Sequence, residues 1–184
     1  MHILMCNDDG ILADGLRHLA SYLSQYYRIT VVAPANEQSA KSHALTTEVP
    51  LKLDACNGED ENPRLYALTG TPSDCMKFGL SYLLTDDMPD LVISGINHGF
   101  NLGSDVLYSG TVSAAMESGF YGIPGLALSV ERYSVERGDE MHPFIHELIE
   151  KIYVAGQFSG LLNVNFPLRG TCDWDHFTAL ARAS

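Results

Sequence analysis

The chain has 184 residues, 46% of them apolar, which suits one domain with a buried core of its own. Eleven Lys and Arg stand against 23 Asp and Glu, a net charge of −12 that disfavours duplex nucleic acid or an anionic membrane as partner. A phosphorylated substrate would need a bound cation to offset that field. Cys6, Cys56, Cys75 and Cys172 show neither metal-ligand nor disulfide spacing and read as reduced thiols. No signal peptide is legible at the start, and no apolar run approaches the roughly 20 residues of a spanning helix. The expectation is a soluble protein of the cytoplasm.

In chain order, His2–Cys6 is a short apolar run closed by an Asn-Asp-Asp-Gly turn, and it predicts a buried strand. Leu16, Leu19, Ala20 and Leu23 recur at helical spacing and predict a helix over 15–26, with Asp14 as its N-cap. Ile29–Ala33 is β-branched and ends at Pro34, a second strand. Strand, helix and strand in this order make a βαβ unit and hence a parallel sheet. Leu45–Leu53 alternates loosely and reads as a strand or hairpin arm, Cys56–Pro63 as a surface loop, and Leu65–Leu68 as a strand. Thr71 caps a predicted helix that starts at Pro72 and runs to about Leu84. Strands are predicted at 91–94, 126–130 and 161–166, and helices at 111–121 and 143–154. The fold class is α/β, a doubly wound, mostly parallel sheet in one domain over residues 1–184. In such sheets ligands bind at the carboxyl ends of the strands.

The polar residues cluster after strands. Two adjacent carboxylates, Asp8 and Asp9, repel one another unless a cation or proton lies between them. A hard divalent ion accepts such a pair plus water, although Asn7-Asp8-Asp9-Gly10 is also a good plain turn. The segment 34–45 offers Asn36, Gln38, Ser39, Ser42 and His43 on what is otherwise an ordinary polar loop. Ser94–Gly103 is glycine-rich, with Asn97 and Asn101 as neutral oxygen ligands or amide donors. Ser109, Gly110 and Thr111 open a helix, where backbone N–H groups favour an anion and small hydroxyl residues also serve as caps. The histidines at 2, 18, 142, 146 and 176 lack ligand spacing. His43 and His98 are candidate general acids by loop position alone.

These motifs, with Gly70-Thr71-Pro72-Ser73-Asp74-Cys75 and Tyr108-Ser109-Gly110-Thr111-Val112, resemble the SurE survival-protein family in order and spacing over residues 1 to about 167. The resemblance implies a Rossmann-like fold and a metal-dependent phosphomonoesterase acting on nucleoside 5′- and 3′-monophosphates. It implies one divalent ion, Mg²⁺ or Mn²⁺, on Asp8, Asp9, Ser39 and Asn97. It implies phosphate contacts from Asn101, Ser109, Gly110 and Thr111, with Asp8, Asp9 and Asn101 as the catalytic set. Ala40 stands where family members commonly carry Gly. The segment 177–182 faintly resembles the family's next strand, and the C-terminal arm that builds larger assemblies is expected to be missing or shortened, leaving a homodimer. Either a water or a carboxylate serves as nucleophile on this reading.

Two other readings share the acidic pair. A non-catalytic nucleotide-binding module would bind but not hydrolyse. A receiver-like signalling domain would use Asp54 as its phospho-acceptor, but no Lys lies between Lys77 and Lys151 to complete it. Haloacid-dehalogenase phosphatases carry Asp-x-Asp after the first strand, and this chain does not.

Overall fold

The computed structural model describes residues 1–38, 42–156, 158–167 and 172. Among the described residues seven strands form one sheet: β1 (His2–Cys6), β2 (Arg28–Pro34), β3 (Leu53–Ala55), β4 (Arg64–Leu68), β5 (Leu91–His98), β6 (Gly125–Val130) and β7 (Leu161–Phe166). Their spatial order is β3-β4-β2-β1-β5-β6-β7, parallel throughout except for β3, which pairs antiparallel with β4. β1, β2 and β6 are buried along almost their whole length, which is why they read as unbroken apolar runs rather than alternating ones.

Four helices cover the two faces: α1 (Asp14–Leu23), α2 (Pro72–Phe78), α3 (Gly110–Glu117) and α4 (Val135–Leu148). α1 packs on α4, and α2 on α3. Leu16, Leu19 and Leu23 of α1 meet Met141, Phe144 and Ile145 of α4 over Ile3, Met5 and Ile93 of the sheet. On the other face Cys75 and Met76 pack over Leu4, Val32 and Val92. Cys6, Cys56 and Cys75 are free thiols.

Several boundaries differ from the sequence expectation. Ala13, not Asp14, is the N-cap of α1, and Asp14 sits in the first turn, where its charge suits the helix dipole. Thr71 caps α2 as expected, in a reciprocal capping box with Asp74, but the helix widens into a π turn over Gly79–Leu83. The segment 45–52 is not a strand. The Thr46 N–H and hydroxyl bond to the Asp74 carboxylate, so the chain follows α2 instead of a sheet edge. α4 begins at Val135, capped by the Ser134 hydroxyl, and carries Pro143 inside it, so Pro143 is not the helix start. The segment 177–182 lies outside the described residues.

β1 is the strand from which the order runs outward in both directions, through β2 to one edge and β5 to the other. The crevice between the carboxyl ends of β1 and β5 is therefore the topological switch point, where open α/β sheets hold their ligands.

Candidate active site

The turn after β1 is built by Asn7. Its side chain is fully buried, accepts from the Gly10 N–H at 3.1 Å and donates to the Gly10 carbonyl at 3.0 Å. Gly10 takes φ +98°, which an L side chain rarely adopts. The turn is tied to the β2 loop by Ile11 N–H to Pro34 O and Gln38 N–H to Asp8 O, both 2.8 Å. Asp8 and Asp9 are thereby fixed side by side at the switch point.

Asp8 is only 6% exposed. Burial pushes its carboxyl above the usual carboxylate range, and hydrogen bonds from Thr111 partly offset this. Asp9 is raised to about 6, first by burial and then by the charge of Asp8, against the opposing influence of His98, whose backbone N–H also bonds it. One Asp9 oxygen, Oδ2, is buried with no hydrogen-bond partner.

β5 runs further than expected, from Leu91 through His98, so Asn97 and His98 belong to a strand end rather than to a glycine-rich loop. The register against β6 shifts between Ser94 and Asn97, a bulge that re-aims the strand end. Gly95 makes it possible: φ is +133°, and a Cβ there would lie 2.3 Å from the Leu128 carbonyl. The Asn97 amide nitrogen donates to the Gly99 carbonyl at 2.9 Å, which leaves its oxygen as the uncommitted end.

A cleft of about 280 Å³ opens here, lined by Asp8, Asn97, His98, Asn101, Asp105, Tyr108, Ser109 and Gly110. Gly110 is required by packing, because a Cβ would stand 3.0 Å from Asp8 Cβ and 3.2 Å from Asp8 Oδ2. The Ser109 hydroxyl oxygen accepts from Val112 N–H at 3.1 Å, capping α3 as expected.

Thr111 does not line the cleft. Its side chain is fully buried, and its hydroxyl and its backbone N–H both donate to Asp8. Ser109 and Gly110 are what α3 presents to the cleft, and Thr111 sets the carboxylate behind them. His98 lines the cleft, whereas His43 pairs with the buried Glu117 at 2.7 Å. Ser39 and Ala40 lie outside the described residues. Asp105 and Tyr108, in a 3₁₀ turn over Gly103–Tyr108, were not singled out as site residues from the sequence. The polar Gly103-Ser104-Asp105 stretch, between two candidate motifs, was the available signal.

The donor set fits a hard divalent cation. Two adjacent carboxylates, both resisting ionisation, with one oxygen orphaned, gain from a nearby positive charge. Among the described residues no group of three or more His, Cys, Asp or Glu could hold a metal, so further ligands would be neutral oxygens such as Asn97 and water. Asp54 sits exposed on the edge strand β3, ion-paired with Lys52 at 2.8 Å and three strands from β1, which removes the receiver-like reading.

Residues 3–184 match the family model described as "Survival protein SurE". The chain belongs to the SurE family. A relative from Thermoanaerobacter sp. (strain X514), described as a 5'-nucleotidase SurE, is 49% identical over 168 residues, 91% of this chain and 66% of its own length. One from Crocosphaera subtropica with the same description is 46% identical over 91% of this chain and 61% of its own. The crystal structure of the SurE protein from Aquifex aeolicus superposes with a TM-score of 0.77 at 37% identity, covering 91% of this chain and 66% of that one. The chain thus spans just under two thirds of the length of these SurE relatives.

Proposed function

We propose that this chain is a divalent-cation-dependent phosphomonoesterase that hydrolyses nucleoside 5′- and 3′-monophosphates. The observation that carries the reading is the Asp8–Asp9 pair, Asp8 buried and Asp9 half-buried with an orphaned oxygen, at a cleft walled by the start of α3. The description of the relatives as 5'-nucleotidases supports the substrate class. Asp8 and Asp9 hold the cation, with Asn97 and Ser39 as neutral oxygen donors. A bound Mg²⁺ or Mn²⁺ supplies polarisation of the phosphoryl group and a water acidified for attack.

The protein's own groups do the rest. Thr111 fixes the Asp8 carboxylate by two hydrogen bonds that partly offset the effect of its burial. The Gly110 N–H and Ser109 hydroxyl face the phosphoryl oxygens, where the dipole of α3 adds favourable charge. Asn101, 5% exposed, lines the same cleft. His98 is the imidazole within reach of a leaving alkoxide. The Tyr108 ring, 68% exposed at the cleft mouth, provides a flat face for a nucleobase. Asp105 adds a second carboxylate to the lining beside Asp8, which makes entry of a phosphate without a cation still less favourable.

No helix among the described residues is long and apolar enough to cross a membrane, which is compatible with the cytoplasm as the place of action. The test is release of inorganic phosphate from AMP with Mn²⁺, with EDTA as control. Turnover that EDTA abolishes is expected. Tight AMP binding without phosphate release would favour the non-catalytic module instead.

A further inference from the structure

The last strand carries two asparagines where its pattern calls only for polar residues in general. In β7 the apolar Leu162, Val164 and Phe166 are buried against the α1–α4 side, and Asn163 and Asn165 share the opposite face, the side of α3. Strand register sets Asn165 beside Ser129 of β6, and Ser129 beside Asn97 of β5. A polar row, Asn97–Ser129–Asn165, thus crosses three strands at their carboxyl ends. Over it lies Asn101, on a segment with no regular structure of its own.

Every hydrogen-bonding group of the Asn101 backbone is gripped from this row or next to it. The Asn101 N–H donates to Asn165 Oδ1 at 2.8 Å. The Asn101 carbonyl accepts from Asn163 Nδ2 at 2.8 Å and from Asn165 Nδ2 at 3.3 Å. The Asn101 side-chain amide donates to the fully buried Ser129 hydroxyl at 2.7 Å. The orientation of Asn165 follows from chemistry: a backbone N–H only donates, so the atom facing it is the oxygen, which turns the amide nitrogen to the carbonyl. Asn165 therefore bridges both sides of one peptide residue, as a neighbouring strand would.

We infer that Asn163 and Asn165 are positioning residues that hold Asn101 against the cleft in the geometry hydrolysis requires. They touch neither the cleft nor Asp8 and Asp9, and act only through Asn101 and the segment that bears it. A loop residue without such a hold would sample many φ/ψ states, and a misplacement of about 1 Å in a group facing the reacting phosphoryl can cost about a hundredfold in rate. The inference rests on the phosphatase reading for its catalytic consequence but not for the hold itself, so the test has two independent readouts.

Asn163→Ala, Asn165→Ala and Asn165→Asp are compared with the parent chain. The first readout is amide hydrogen exchange at Asn101. In Asn165→Ala it is expected to quicken by at least roughly tenfold, the scale of one lost hydrogen bond, with β1 and β5 amides unchanged. Asn165→Asp keeps an acceptor for the Asn101 N–H and should restore much of the protection. The second readout is steady-state hydrolysis of AMP at saturating Mn²⁺. For both alanine variants kcat should fall by roughly ten- to a hundredfold, with Mn²⁺ affinity unchanged. Parental exchange at Asn101 in Asn165→Ala would overturn the inference. So would a loss of activity that merely tracks a global fall in Tm and faster exchange throughout the sheet. A parent chain that hydrolyses no phosphate ester, with Asn101 exchange responding as described, would remove the phosphatase reading and leave the hold standing.

Discussion

Asp9→Asn should stabilise the cation-free protein at neutral pH while destroying its cation site. In the fold the Asp9 carboxyl titrates at about 6, against 3.8 for an unperturbed aspartate. A group whose folded pKa is raised contributes stability that is fully present below the unfolded value and lost as pH rises through the folded one. At pH 7 that contribution is gone, and the charged form is held in a site that disfavours it. A shift of this size corresponds to about 3 kcal/mol, and partial exposure reduces it to roughly 1–3 kcal/mol. Asparagine is nearly isosteric, carries no charge to desolvate, and removes the repulsion with Asp8. Urea unfolding in EDTA at pH 7 should therefore give Asp9→Asn a higher midpoint than the parent. The gain should shrink steadily towards pH 4, where the parent's own Asp9 is protonated. With Mn²⁺ present the order should reverse, because only the parent gains binding energy from the ion. A destabilised Asp9→Asn at pH 7 in EDTA, or a gain independent of pH, would refute the account of the carboxylate pair.

Thr111→Val removes the hydroxyl from Asp8 without changing the side-chain shape; calorimetry should show Mn²⁺ affinity weaker by about 1–3 kcal/mol, and unchanged affinity would count against the contact. His142 is buried in the α1–α4 interface with an unpartnered Nε2, and burial lowers its pKa from 6.5 to about 4. It is neutral in the fold, so stability is retained above pH 6.5 and lost as pH falls towards 4, by up to about 3 kcal/mol. His142→Leu should remove that part of the pH dependence in urea melts, and an identical profile for parent and variant would refute the assignment. Tyr108→Ala should raise KM for AMP by roughly tenfold, the range for losing one base–aromatic stack, and leave KM for ribose 5-phosphate unchanged. An equal rise for both substrates would take the ring out of base recognition.

β1 and β2 were legible because they are short apolar runs, ended at Asn7 and Pro34, and buried on both faces. Asp8, Asn97 and Asn101 could be placed on one edge because each follows an expected strand, the family resemblance added Ser109 and Gly110, and one cleft is lined by all five. What was not legible depends on contacts between distant segments. Nothing local in Ser109–Val112 says that the Thr111 hydroxyl turns to Asp8 rather than to the cleft. Nothing in Leu161–Phe166 separates an asparagine facing solvent from one gripping residue 101. Pro143 has the local chemistry of a helix start, but Ser134 caps a turn far enough upstream that the helix runs through it. Gly95 reads in sequence as the start of a glycine-rich loop, and is instead the bulge that lets β5 continue to His98.

The central claim is that Asp8 and Asp9 hold a divalent ion on which phosphate-ester hydrolysis depends. Calorimetric titration of Mn²⁺ into the parent and into Asp9→Asn, with phosphate release from AMP assayed on the same samples, tests it most directly. The account predicts saturable binding and turnover in the parent, and loss of both in Asp9→Asn with the circular dichroism spectrum unchanged. Mn²⁺ affinity unaltered by the substitution, or phosphate release that survives it, would contradict the account.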